Sequence, residues 1–397
     1  MRRAPPQVDG ARRIALIDAL RAVALFGILQ VNILSYLWGP GGLTVFAEPP
    51  SAADQATYLL VATFVSTKFL SLFALLFGYG FALQMRSLRR ELDPAAARRA
   101  YRRRLWFLLA VGVAHGALLY FGDILTVYAL CGFVLVLYAG ARPATLAAHA
   151  RGWLAAYVLI SVLVTIAGSG AARFLTAAEA AALPPEWIDR FETAATGGYA
   201  DYLAVNAADY VDLTLLALTL STPYVVGLFV LGALAGRLGW LAHPQRHPRV
   251  WRAARRIGWA FLPVAALGAW LSLRASITTP GLASALGFGL TTLSFPLLAL
   301  YLAALLRWRD APLVRAGVAW LAPAGRMPLT NYLLQSVAMG VLLSGWGLGW
   351  GAALSVAQLA LLALAIVAVQ IVASRAWIAR FGQGPVEALW RRATYRR

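Results

Sequence analysis

Apolar residues in this chain gather into long blocks of 17 residues or more, separated by short polar stretches. They do not form the narrow 3.6-residue stripe of a surface helix or the alternation of a half-buried strand. At 1.5 Å per residue such a block crosses a hydrocarbon core about 30 Å thick. Ten blocks stand out, at about residues 14–38, 57–85, 105–121, 124–140, 152–170, 212–236, 257–273, 282–306, 327–345 and 352–373. The pattern predicts an all-α, polytopic membrane protein of about ten transmembrane helices. Pro223 is expected to kink the sixth. The seventh is short, bounded by Pro263 and Arg274. No repeat of fixed period is visible, and a degenerate inverted repeat of the transporter kind stays open.

Three regions are expected. Residues 1–140 form a four-span bundle, 141–211 hold the fifth span and an acidic segment, and 212–397 form a five-span membrane domain. The acidic segment, 171–211, carries Glu179, Glu186, Asp189, Glu192, Asp201 and Asp209, and Pro184-Pro185 breaks it. It is expected to hold short amphipathic helices outside the membrane.

Charge then sets orientation. Residues 86–104 hold eight arginines and residues 237–256 hold six, while residues 39–56 hold none. Arginine-rich loops alternate with neutral or acidic ones, which is the positive-inside pattern. It places both termini in the cytoplasm; the arginine- and alanine-rich composition suggests a bacterium, so a multi-pass protein of a bacterial inner (plasma) membrane, surrounded by lipid, is expected. The net charge of +19 is therefore read as topology, and a nucleic-acid partner is not expected. Apolar residues make up 61% of the chain and charged ones only 13%, against about 25% in soluble proteins. The single cysteine, Cys131, rules out a disulfide framework. No cleavable signal peptide is expected, because the first block is too long for an h-region. A homodimer is left open.

Candidate chemistry lies in the ionisable groups at membrane depth, which are costly there and mark function by default. His115 falls two-thirds of the way along the third block, and Asp123 at the turn after it. Lys68, the only lysine, falls near the middle of the second block, and Asn32 lies toward the outer end of the first. Short connections make the first four blocks neighbours, so these four side chains could line one cavity. Each also has a structural reading: Lys68 as a partner of Asp123, His115 as a satisfied core histidine. His115 and Asp123 are eight residues apart, about 12 Å on an unbroken helix, so their contact requires the chain to reverse. Asp18 and Arg21, three apart, share a face and can pair. Asn331 and Gln335, four apart, share another and could bond a neighbouring helix or face a cofactor. The arginines of the basic loops can bind phosphates or anionic lipid. No Walker motif, dinucleotide fingerprint or Cys/His metal spacing occurs, so no metal is expected.

Five ordered stretches carry a resemblance: RIALIDALRAVALFGILQVNI, KFLSLFALLFGYGFALQ, HGALLYFGDILTVYALCG, GRMPLTNYLLQS and GPVEALWRR. Together they resemble the YeiB-like bacterial integral-membrane family, long catalogued as a domain of unknown function. The first is also similar to the opening helix of heparan-α-glucosaminide N-acetyltransferase and, more distantly, of the membrane acyltransferase-three group. That resemblance implies acyl transfer from cytoplasmic acyl-CoA (acetyl-CoA) to a small-molecule or glycan acceptor on the outer side. Asn32 falls where the heparan enzyme's first helix carries an asparagine by its active site. That enzyme's catalytic histidine follows in the next loop, whereas residues 33–56 here contain none. Either His115 has taken the base role or the chemistry is absent. In the first case Asp123 orients His115, and Lys68 or Asn32 holds the thioester oxygen. The donor's phosphates then meet Arg102, Arg103, Arg104, Arg326 and Asn331. The rival reading is a transporter or exporter of a small solute, with the His, Asp and Lys as a proton relay or substrate site.

Overall fold

A backbone in hydrocarbon must satisfy its own polar groups, and helices do this within one segment. The computed structural model accordingly contains helices and no strand among the residues it describes, 6–38, 50–171, 185–277 and 281–395. Glu48, Glu179 and Pro184 lie outside them. In chain order the helices are α1 (Pro6–Ser35), α2 (Ala52–Phe64), α3 (Lys68–Leu88), α4 (Pro94–Leu118), α5 (Leu125–Leu137), α6 (Pro143–Ala171), α7 (Pro185–Thr196) and α8 (Tyr199–Leu220). Then follow α9 (Thr222–Leu238), α10 (Pro248–Ile277), α11 (Gly281–Leu293), α12 (Leu298–Trp308), α13 (Pro312–Gly325), α14 (Pro328–Leu343), α15 (Val356–Phe381) and α16 (Pro385–Tyr395).

Among the described residues, seven stretches are long and apolar enough to cross a membrane: Ala15–Ser35, Ala52–Leu88, Pro143–Gly170, Tyr199–Leu220, Pro248–Ser276, Ala283–Trp308 and Val356–Phe381. Leu125–Gly140, Thr222–Leu238 and Pro328–Leu343 are apolar but shorter. The structure departs from the sequence expectation in five places. Residues 212–236 divide at Ser221, and Pro223 sits in the first turn of α9, where a missing N–H costs nothing. The stretch Ala52–Leu88 breaks at 65–67, and Ala283–Trp308 breaks at 294–297. Residues 307–326, between the eighth and ninth blocks, where the sequence pattern predicts no helix, contain α13, which packs along α1. The seventh block runs straight through Pro263 as part of α10.

The centre of the bundle is α9, buried along nearly its whole length against α3 and α6. Small residues allow the approach: a Cβ on Gly78 would collide with the Phe229 carbonyl, and one on Gly232 with that of Leu75. Around this crossing Phe77, Tyr128 and Phe229 stack and interleave. Arg237, at the end of α9, donates to the carbonyls of Tyr138, Ala139 and Ala141 and so closes the end of α5. That end of the bundle also carries residues 86–104 and α16, and is called the basic end below.

Local caps fix the ends. Ser51 and Asp54 form a capping box on α2. Asp93 accepts from the N–H groups of Ala96 and Ala95, with Pro94 at the first helical position of α4. These two bonds, with Arg99 and Arg98 nearby, hold the exposed Asp93 carboxyl below the usual carboxylate range.

Candidate functional site

The α4–α5 hairpin is the organising element. α4 has 25 residues, but α5 has only 13, about 20 Å. The reversal at 119–124 therefore lies within the bundle and not at its surface. Irregular backbone at that depth has to be satisfied by protein. α8 supplies the partners: Asn206 donates to the Gly116 and Ala117 carbonyls at 2.8 and 3.0 Å and accepts from Phe121 N–H at 2.7 Å. Tyr202 and Tyr199 donate to the Leu119 and Leu118 carbonyls. Gly112 and Gly116 leave room for α5 and for the Tyr210 ring, where a Cβ would clash with Thr126 and with that ring.

This tight reversal brings His115 and Asp123 together. His115 Nδ1 and Asp123 Oδ1 are 2.8 Å apart, and both side chains are buried. Asp123 Oδ2 accepts from Thr126 N–H at 2.7 Å, so the carboxylate also caps the first turn of α5. The other ring nitrogen, His115 Nε2, lies 2.8 Å from Ser336 Oγ on α14. Asp123 accepts at both oxygens, which assigns the proton to Nδ1 and leaves Nε2 to accept from the Ser336 hydroxyl. The three side chains form a Ser–His–Asp relay. Tyr332, one turn before Ser336, lies against His115 with ring centroids 4.8 Å apart, and its hydroxyl accepts from Ile124 N–H at 3.3 Å.

The other sequence candidates lie elsewhere. Lys68 is fully buried, yet its Nζ donates to the Ala62 carbonyl at 3.2 Å and to Ser294 Oγ at 2.7 Å, not to Asp123. It closes the end of α2 and ties the break at 65–67 to the break at 294–297. Asn32 is half-buried and lines a separate cavity of about 700 Å³, together with Ser66, Thr67, Ile124, Thr165, Ser272 and Thr291. Asn331 and Gln335 share a face, as their spacing predicts, and turn it to α15. Asn331 bonds Ser374 and the Ala324 carbonyl, and Gln335 bonds Gln370. They pair helices, and neither lines the basic cavity.

That cavity, of about 690 Å³, opens at the basic end. Arg21, Arg104, Arg326 and Arg391 line it, with Asp18, Glu387 and Trp390. Arg21 donates to Asp18 at 2.8 Å, as the three-residue spacing predicts. The Arg104 guanidinium lies over the Trp390 ring at 3.6 Å, and Arg326 donates to the Gly382 carbonyl at 2.6 Å. Arg102 and Arg103 are exposed outside it. Deeper in, Phe73, Leu125 and Tyr332 line the same space. Leu125 thus faces this cavity and its chain neighbour Ile124 faces the Asn32 cavity. The relay stands beside this thin partition.

The far end is closed by α7. Arg190 reaches the Leu37 carbonyl and the Asp209 carboxylate, with its guanidinium over the Phe121 ring. Tyr36 stacks on Tyr120 and on Tyr202 beneath it.

Comparison with known proteins places this chain in a family. Residues 235–397 match the family model described as "Protein of unknown function (DUF418)". The chain is 32% identical over 411 residues to the uncharacterized protein YxaH of Bacillus subtilis (strain 168), covering 96% of this chain and 94% of YxaH. It is 31% identical over 416 residues to the uncharacterized protein YeiB of Escherichia coli (strain K12), covering 97% of each. The chain belongs to this YeiB-like DUF418 family. Within it, the matched region supplies Ser336, Tyr332 and α16, while His115 and Asp123 come from the part that precedes it.

Sequence reasoning missed Ser336, Tyr332 and Glu387. Ser336 and Tyr332 lie inside GRMPLTNYLLQS and Glu387 inside GPVEALWRR, so the motifs were visible. No spacing rule points from them to a histidine over 200 residues away.

Proposed function

We propose that the protein is a membrane-embedded acyltransferase that moves an acyl group from cytoplasmic acyl-CoA to an acceptor on the outer side of the bacterial inner membrane. In this reading the basic end faces the cytoplasm, both termini lie there, and about ten spans cross. The observation that carries it is the Ser336–His115–Asp123 relay beside the partition between two cavities. Arg21, Arg104, Arg326 and Arg391 meet the donor's phosphates, where guanidinium groups bind well. The pantetheine arm runs in toward Tyr332 and Leu125. Tyr332 covers the relay in this conformation and swings aside to admit the thioester.

Ser336 Oγ attacks the thioester carbon and gives its proton to His115 Nε2. The C–S bond breaks and the departing sulfur takes that proton. The acceptor's hydroxyl or amine then attacks the acyl-serine, its proton passing to His115 and on to Ser336 Oγ. Asp123 holds the imidazole in the required tautomer and stabilises its charged form. Lys68 and Asn32 do not reach the relay and take no part in these steps.

The test is transfer of radiolabel from acetyl-CoA to purified protein, with the site mapped by peptide mass. Wild type is expected to label on Ser336, with Ser336→Ala and His115→Ala unlabelled and Arg104→Ala/Arg326→Ala weakly labelled. Absence of both labelling and acetyl-CoA binding in the wild type overturns the reading.

One observation favours the second reading, a small-solute transporter. Two spans, Ala52–Leu88 and Ala283–Trp308, are broken, and Lys68–Ser294 ties the breaks together. Discontinuous helices of this kind build transporter sites. Proton-coupled solute flux in liposomes, lost in Lys68→Met, would support it.

A further inference from the structure

We propose that the Asn32 cavity between the two broken spans binds an uncharged lipid alcohol, the acyl acceptor, which enters sideways from the bilayer. Calling it the acceptor rests on the acyl-transfer reading. The ligand chemistry rests on the cavity alone.

No charged side chain lines this space among the described residues. A phosphate or carboxylate headgroup would sit there without a counter-charge, which a low-dielectric site penalises. Hydroxyl and amide groups are present instead. The hydroxyls of Thr67, in the first break, and Thr291, in the last turn of α11 before the second, are shielded from water and have no hydrogen-bond partner among the described residues. The Asn32 amide makes no hydrogen bond among the described residues. Buried polar groups without partners are uncommon and ask for an explanation. Thr67 also has φ of 66°, a backbone conformation that a β-branched residue rarely adopts and that collects at functional sites. A ligand hydroxyl both donates and accepts, so one such group can serve a threonine and Asn32 together.

Further hydroxyls, among them Ser66, Thr165 and Ser272, also line the space, and the apolar remainder, with Ile28, Val61 and Phe69, suits acyl chains. Two of its side chains, Val164 and Phe288, are 38% and 61% exposed on the lipid-facing flank of the bundle. A bilayer-dissolved ligand therefore meets the cavity at its side. Inside, its hydroxyl approaches Ile124, the neighbour of Asp123, whose N–H is bonded to Tyr332. A lipid bound here lies across the partition from the arginine-lined cavity.

The test uses full-length protein in nanodiscs and a photoactivatable dioleoylglycerol as probe. Saturable labelling of peptides that contain Val164 or Phe288 is expected. Ala285→Trp, which fills the cavity, should lower it about ten-fold or more. Thr291→Val, which conserves shape, should also lower it and serves if the first variant fails to fold. Labelling that neither variant changes overturns the proposal, as does equal competition by dioleoylphosphatidylglycerol. Acetyl-CoA labelling of Ser336 is measured on the same preparations. Labelled Ser336 without lipid binding sinks the cavity proposal alone. Lipid binding without labelled Ser336 sinks acyl transfer and leaves a lipid-alcohol site.

Discussion

Glu387 accepts from the Thr330 hydroxyl at 2.6 Å through one oxygen and from the N–H groups of Leu329 and Thr330, at 2.7 and 3.1 Å, through the other. A side chain of the last helix thus caps the helix that bears Ser336. Charge-assisted bonds to helix N–H groups are among the stronger ones. Glu387→Ala should cost about 2 kcal/mol, read as a lower melting temperature in detergent, and Glu387→Gln should recover part of it.

His115→Ala leaves Asp123 buried beside an empty site and should cost about 3 kcal/mol or more. Ser336→Ala removes one bond to Nε2 and should cost about 1 kcal/mol. Because the three groups act as one network, His115→Ala/Asp123→Ala should cost clearly less than the sum of the two single changes. Additive costs, from denaturant titration of the four proteins, would show that the relay is not coupled.

Among the described residues Lys68 donates only to neutral oxygens, the Ala62 carbonyl and Ser294 Oγ. Lys68→Met keeps the length and removes the amine, so stability should stay within about 1 kcal/mol. Ser294→Ala keeps the amine and takes away one of its oxygens. It should cost more, about 1–3 kcal/mol, by the same unfolding assay. The reverse order would mean that the two bonds of the amine outweigh the cost of burying it.

At the α3–α9 crossing a methyl on Gly232 would enter the Leu75 carbonyl. Gly232→Ala should destabilise by about 1–3 kcal/mol through overpacking. Gly152, with open space around it, should accept the same change within about 0.5 kcal/mol. Paired thermal melts check the contrast.

Asp93 has its carboxyl held below the usual carboxylate range by the Ala96 and Ala95 N–H groups. Its stabilisation of α4 is present above the unfolded-state value, about 3.9, and is lost as pH falls through the lower folded-state value. Hydrogen exchange in the first turn of α4, taken relative to the intrinsic rate at each pH, should therefore speed up in acid in the wild type. In Asp93→Ala it should be fast already at neutral pH, without that acid step.

The helical, membrane-spanning character was legible because long apolar blocks have few other solutions. The hairpin was legible for the same reason, and His115 because an ionisable group stands out in apolar sequence. The contact with Asp123 was only a condition in the sequence: it needed a reversal within eight residues, and that depends on Gly112, Gly116 and the caps from α8. Ser336 was hidden because serine is ordinary in membrane helices, where its hydroxyl commonly bonds its own backbone. Arg102, Arg103 and Arg104 read alike in sequence, yet only Arg104 turns into the cavity, since helical phase against α16 decides it. The breaks at 65–67 and 294–297 fall in apolar runs, where hydrophobicity cannot mark them.

Arg190 is fastened to the end of α1, 153 residues earlier in the chain. Membrane proteins are made and inserted from the amino end. The first helix therefore waits in the bilayer with its last carbonyls open until nearly half the chain has been synthesised. Closure of the far end follows the making of the α4–α5 hairpin, and a nascent chain arrested before residue 190 holds every member of the relay except Ser336 without a roof above them.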